Sequence, residues 1–206
     1  MKTLSISQII DKSWELFKAQ AGILIGIIVV YCLISGTLSF IQEKYFSESF
    51  DFSSILFIIL SYAVSLALYL GLIRVAINVA DGKKVDLDLL FSQRNGTLLL
   101  HYFAGNIVFV LFFLIGLIFF IVPGFYIMFR LQFFQYALLE QEQPDFWRAI
   151  NESWEMTEGK VWDLAGLAIC SLLILLLGLL ALFIGLLAAI PVVMIIYGVT
   201  YRVLNS

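Results

Sequence analysis

Ile10-Asp11-Lys12-Ser13-Trp14-Glu15-Leu16 returns 140 residues further along as Ile150-Asn151-Glu152-Ser153-Trp154-Glu155-Met156. The same offset pairs Leu24 with Leu164 and Gly26 with Gly166. Each copy is a short amphipathic segment running directly into a long apolar one. That pattern predicts an integral membrane protein built by repeating an interfacial helix followed by a membrane hairpin.

Composition leads to the same class. The 206 residues are 62% hydrophobic and 13% charged, with a mean hydropathy of +1.03, whereas ordinary soluble chains carry roughly a quarter charged residues. A soluble fold of this length has too little interior to hide that much apolar surface. In lipid every backbone polar group must be satisfied within the protein, by helices or by a closed barrel. The long unbroken apolar runs exclude barrel strands, which alternate in and out over about ten residues. The fold class expected is therefore all-α and polytopic. The two cysteines, Cys32 and Cys170, fall inside apolar runs and read as small packing residues rather than a disulfide. The N-terminal segment carries Asp, Lys and Glu and precedes a full-length apolar run, which is unlike a cleavable signal peptide.

Periodicity places the elements. Ser5 suits the N-cap of a helix over 6–18, with Ile6, Ile9, Ile10, Trp14 and Phe17 on one face and Gln8, Asp11, Lys12, Glu15 and Lys18 on the other. That is the pattern of a helix lying in the headgroup plane. Spans are expected at 21–41, at 53–80 (closed by Asp81-Gly82-Lys83-Lys84), at 97–122 and at 125–139, with Pro123-Gly124 as the turn or kink between the last two. A weaker amphipathic piece covers 85–94. A third begins near Pro144, in the first turn of a helix carrying Phe146, Trp147, Ile150, Trp154 and Val161 on one face. From Leu164 to Tyr201 there is no charge, a length suited to two spans of ~20 residues joined near Gly185. The expectation is one membrane domain, 1–206, of six spans in three hairpins, with repeat units at about 5–80, 85–140 and 144–204.

Charge placement predicts sidedness. Of twelve basic residues only Lys44 lies in a loop closing a hairpin; the other eleven lie in the amphipathic segments, the connections between hairpins or the return helices. The positive-inside rule then puts both termini and all three amphipathic helices on the cytoplasmic side, and Trp14, Trp147, Trp154 and Trp162 form one interfacial belt there. Hairpins that all start from one side make the repeats parallel.

Few residues invite a chemical role. Arg130, in Phe125-Tyr126-Ile127-Met128-Phe129-Arg130-Leu131-Gln132-Phe133-Phe134-Gln135, falls midway along the fourth expected span. A charge at the bilayer centre costs at least ~2.5 kcal/mol, which makes it a functional candidate; the alternative is a shifted span with Arg130 snorkelling to the interface. Arg74 and Arg202 occupy comparable places in the other two return helices, where cations also complement helix C-termini. Were the three to converge on one axis they would form a cationic vestibule for a lipid phosphate or another anion, joined by the polar Asn78, Asn106, Gln132 and Gln135. The repeated acids Glu15 and Glu155 either pair with those arginines or remain solvated. Ser13 and Ser153 suit helix packing better than nucleophilic work. His101 is the only histidine, so no metal or cofactor site is expected. Gly22 and Gly26 (a GxxxG pair), with Gly116, Gly178 and Gly185, have the spacing of close helix contacts. Phosphate-binding loops, hydrolase elbows and basic nucleic-acid surfaces are absent.

The run Ala149-Ile150-Asn151-Glu152-Ser153-Trp154-Glu155-Met156-Thr157-Glu158-Gly159-Lys160, with Pro123-Gly124-Phe125-Tyr126 and Arg130 upstream, resembles the membrane domain fused to some bacterial glycerophosphodiester phosphodiesterases and its small stand-alone relatives. The resemblance implies a bacterial cytoplasmic-membrane bundle of six helices with a loose link to glycerolipid metabolism. No phosphodiesterase site is present to carry over. The function expected is a non-enzymatic scaffold or regulatory protein that meets anionic lipid, a protein partner or a second copy through cytoplasmic-leaflet helices. The competing reading is a small transporter or lipid-handling protein using the arginine-lined cavity.

Overall fold

The computed structural model describes residues 5–46, 51–92, 96–119, 121–181 and 184–206, and among them every regular element is helical. Arg94, at the end of the expected middle amphipathic piece, and Glu48, in the first polar loop, lie outside the described residues. The first helix, α1 (Ile6–Ala19), forms where the periodicity predicts it and buries Ile9, Ser13 and Phe17. Ser5 stands at its N-cap in extended conformation but makes no side-chain cap bond.

Two long helices follow, α2 (Ala21–Phe46) and α3 (Phe52–Ala80). Asp51 caps α3 by accepting from the Ser54 N–H at 3.0 Å. The Ser54 hydroxyl, hydrogen-bonded to the same carboxylate, is the main reason this group is held below the usual carboxylate value. The turn after α3 closes on Gly82, whose φ of 71° suits a residue without a side chain. In the middle amphipathic segment, α4 (Asp88–Phe91) is the only helix among the described residues.

The second hairpin departs furthest from expectation. α5 (Gly96–Phe119) is followed by α6 (Ile121–Leu131), a turn at Gln132–Phe133, and α7 (Phe134–Glu140). Pro123 and Gly124 are therefore not the turn; they sit in the first turn of α6, where a proline removes no needed hydrogen bond. The expected continuous fourth span is broken. α6 has 11 residues, about 16 Å at 1.5 Å per residue and roughly half the hydrocarbon thickness. Next come α8 (Phe146–Met156), α9 (Val161–Leu180) and α10 (Leu186–Leu204). Asp145, not Pro144, starts α8: its carboxylate accepts from the N–H groups of Trp147 (2.9 Å) and Arg148 (3.4 Å).

Among the described residues, five helices are long and apolar enough to cross a membrane: Ala21–Tyr45, Phe52–Ala80, Gly96–Gly116, Val161–Leu180 and Leu186–Leu204. In the first four only 17–22% of the most apolar window is buried, against 50% in α10. Their outward faces carry Leu33, Phe40, Leu60, Leu111 and Leu177, all exposed. So much bare hydrocarbon suits lipid and not water. α10 is the central helix, packed on α3, α1, α9 and α2. Its closest approach is Gly198 against α3, where an added Cβ would lie 2.5 Å from the Ala76 carbonyl oxygen.

Three short helices each pack on another helix of the bundle. α4 packs on α3, α8 packs on α7, and α1 packs on α10. Gly116 meets the Gly124 backbone in the α5–α6 hairpin, and Gly178 meets Gly185 in the α9–α10 hairpin, as their spacing predicts. Gly22 and Gly26 differ: nothing lies within 4 Å of a Cβ at either.

Candidate functional site

The break between α6 and α7 organises the surroundings of Arg130. Where α6 ends, the Arg130 carbonyl loses its helical partner. Two side chains of α8 replace it: the Ser153 hydroxyl donates to that carbonyl at 2.9 Å, and the Thr157 hydroxyl lies 3.0 Å from it. Thr157 shares its proton with the carbonyl of Ser153, 2.7 Å away. Ser153 also accepts from the Phe133 N–H at 3.2 Å, so one hydroxyl serves both sides of the turn. Ser153 and Thr157 are fully buried. The second copy of the repeated motif is thus the clamp that makes a broken helix tolerable in an apolar setting.

The first copy does not do this. Ser13 is equally buried, but its hydroxyl has no hydrogen-bond partner among the described residues. Ser153→Ala should therefore cost about 1–3 kcal/mol, because it strands the buried Phe133 N–H and leaves the Arg130 carbonyl to Thr157 alone. Ser13→Ala removes an unmatched polar atom and should be neutral or stabilising. Thermal unfolding of the two variants in detergent checks this; equal destabilisation by both would refute the assignment.

The Arg130 side chain is 3% exposed. Its guanidinium lies 4.4 Å from the Trp154 ring centroid and 5.8 Å from that of Tyr126, and these two rings meet edge to face. Nε and Nη1 are buried without a hydrogen-bond partner, and no ion pair to Arg130 is present among the described residues. A desolvated cation–π contact returns about 2 kcal/mol. Burying the charge costs several kcal/mol. The aromatic stack alone leaves Arg130 under-compensated.

Arg202 is in the opposite condition. It sits in the last turn of α10, and Nε and Nη2 donate to the two oxygens of Asp81 at 2.5 and 2.8 Å. Nη1 donates to Glu140 at 2.9 Å, and Nη2 lies 2.7 Å from the other Glu140 oxygen. The Tyr201 hydroxyl adds a 2.9 Å bond to Glu140. Asp81 follows α3 and Glu140 ends α7, so one guanidinium ties together the ends of three helices. Burial works against ionisation of Asp81, but the hydrogen bonds from Arg202 and Lys83 outweigh it and hold this carboxyl below its usual value.

Arg74 takes a third environment. It donates to the Ser92 carbonyl and lies 3.3 Å from the Ser92 hydroxyl. It lines a polar cleft of about 460 Å³ with Asn78, Ser92, Glu140 and Gln141. Arg74, Arg130 and Arg202 each have different neighbours among the described residues, and Glu140 borders both the Arg74 cleft and the Arg202 cluster. Asn78 donates to the Arg74 carbonyl of its own helix at 2.9 Å. Asn106 lines a small, mostly apolar cavity with Tyr62 and Phe103. Gln132 lies in the turn of the broken helix with a buried, unpartnered amide nitrogen, and Gln135 is half-buried on α7. Glu15 and Glu155 are exposed and join no ion pair among the described residues. His101 is half-buried against Phe146; Cys32 and Cys170 are free thiols.

The Arg202 tie and the Ser153–Thr157 clamp escape sequence reasoning for different reasons. Asp81 and Arg202 are 121 residues apart, and no local pattern marks their meeting. The clamp had a signal, the Ser-Trp-Glu repeat itself, but not its target carbonyl. No protein-family model, curated protein or solved structure matches the chain.

Proposed function

We propose that this chain is a non-enzymatic scaffold or regulatory protein of the bacterial cytoplasmic membrane, meeting anionic lipid or a protein partner through helices held in one leaflet. The observation that carries this reading is the two-sided character of α1 and α8. Each buries one edge on the bundle, through Ile9, Ser13 and Phe17 or through Ala149, Ile150 and Ser153, while Trp14, Trp147 and Trp154 stay exposed beside them. Indole rings favour the headgroup boundary, and an amphipathic helix pinned on its inner edge presents them there without insertion.

The six-crossing arrangement belongs to the same proposal. In it α6 and α7 together act as the fourth crossing, and the units 5–80, 85–140 and 144–204 repeat in parallel. It is supported by the way each short helix packs on the return helix of the preceding unit, with α1 on α10 closing the ring. Both termini then face the cytoplasm. The likeness to the membrane domain of glycerophosphodiester phosphodiesterases is consistent with this reading, and it extends only to a link with glycerolipid. The transporter alternative is weaker, since it needs a shared arginine cavity and Arg202 is already matched by two carboxylates.

Reconstitution in vesicles with lipids brominated at shallow or deep acyl positions tests the leaflet placement. Tryptophan emission should be quenched most by the shallow bromines; strongest quenching by the deep ones, or none, would overturn it. A reporter fused after Ser206 should remain cytoplasmic, and an extracytoplasmic reporter would overturn the orientation.

A further inference from the structure

On the outer side of the Arg130–Trp154 stack, α5, α6 and α8 enclose an open groove of about 320 Å³. Its walls are Phe112, Ile127, Leu131, Trp147, Asn151 and Trp154. The lining is mostly hydrocarbon with one exposed amide. Trp154 is common to the groove and to the cation: its ring forms the groove wall and lies 4.4 Å from the Arg130 guanidinium. It is also 40% exposed.

We propose that an anionic phospholipid occupies this groove, with its acyl chain along Phe112, Ile127 and Leu131 and its headgroup phosphate on Arg130. The inference rests on the reading of α8 as a headgroup-layer helix, and it assigns that reading a site and a ligand class. Three observations carry it. Arg130 is buried with Nε and Nη1 unpartnered and no carboxylate paired to it among the described residues, so an anion is the missing partner. A guanidinium with free N–H groups matches phosphate oxygens in geometry as well as charge. Within a leaflet, phosphate arrives attached to acyl chains, and the groove offers the apolar wall such a chain needs. Entry requires Trp154 to leave the guanidinium, which exchanges a cation–π contact for a charge-assisted pair.

The test is native mass spectrometry of the full chain in mild detergent, with phosphatidylglycerol and phosphatidylcholine of identical chains competing at equal concentration. The wild type should retain phosphatidylglycerol about tenfold over phosphatidylcholine, and Arg130→Gln should bring the ratio near one. Arg130→Lys should fall between, keeping the charge but not the planar fork. Asn151→Trp fills the groove from an exposed position and should lower retention of both lipids. If Arg130→Gln does not fold, unchanged retention in Asn151→Trp overturns the proposal by itself. A preference for phosphatidylglycerol that survives in folded Arg130→Gln overturns this site and leaves the leaflet reading intact. No preference in the wild type also overturns it, and bromolipid quenching then judges the leaflet reading independently. Inorganic phosphate displacing the lipid at equal concentration, or a dimer mass lost on Arg130→Gln, would replace lipid by a free anion or by a second copy.

Discussion

Arg202→Ala is expected to cost about 2–3 kcal/mol and to make the protein's melting less sensitive to acid. The residue is the meeting point of three helix ends: α10 supplies the guanidinium, the residue after α3 supplies Asp81, and α7 supplies Glu140. Its side chain is 28% exposed, so the loss is smaller than for a fully buried pair. It exceeds that of a surface bridge, which is worth about 1 kcal/mol at most, because two carboxylates lose Arg202 at once, leaving Asp81 with Lys83 and Glu140 with the Tyr201 hydroxyl. Asp81 sets the direction of the acid effect. A carboxyl held below its usual value stabilises the fold above that value, about pH 3.9, and loses the contribution as pH falls further, through its folded-state pKa. Melting in detergent from pH 7 to pH 3 should therefore drop for the wild type in the acid limb and be flatter for Asp81→Asn. Parallel curves for the two proteins would exclude Asp81 as the titrating group. A wild-type midpoint in Arg202→Ala would exclude the tie.

Gly198→Val should be at least as damaging, at about 3 kcal/mol or more, the upper end of what overpacking costs. The added Cβ would lie 2.5 Å from the Ala76 carbonyl oxygen and 2.8 Å from its carbon. Both atoms belong to the backbone of α3, where the carbonyl is committed to the helical ladder and cannot swing away as a side chain does. Relief would require α10 to move off α3, and these two helices form the centre of the bundle. Gly22→Ala and Gly26→Ala are the contrast, with nothing within 4 Å of either Cβ. They should be neutral or slightly stabilising, since alanine favours the helix by up to ~1 kcal/mol over glycine. Comparing the midpoints of the three variants decides the matter. A Gly198→Val protein as stable as the wild type would sink the close-packing argument, and strong destabilisation by Gly26→Ala would mean a contact outside the single chain.

These contrasts show where sequence reading stops. The GxxxG spacing at Gly22 and Gly26 is identical in kind to spacings that do mark close approach, but spacing cannot say which face a neighbour meets. The Ser13 and Ser153 hydroxyls occupy one motif, yet only Ser153 faces a broken helix with a carbonyl to satisfy. Arg74, Arg130 and Arg202 lie on α3, α6 and α10. Their partners are Ser92, Trp154 and the Asp81–Glu140 pair, each supplied by a different element.

The sequence by itself determined the helical class, the extent of α1 and of α3, and the turn near Gly185. Each follows from hydrophobic period, span length and breakers acting within about 20 residues. Tertiary structure alone decided the interruption of the fourth apolar run at Gln132–Phe133 and the fate of each arginine. A helix break in an apolar setting is tolerated only where another element satisfies the freed backbone groups, and Ser153 and Thr157 do that from more than 20 residues away. A buried charge, likewise, is defined by what the fold brings to it, and for Arg130 that is an aromatic wall and an open groove.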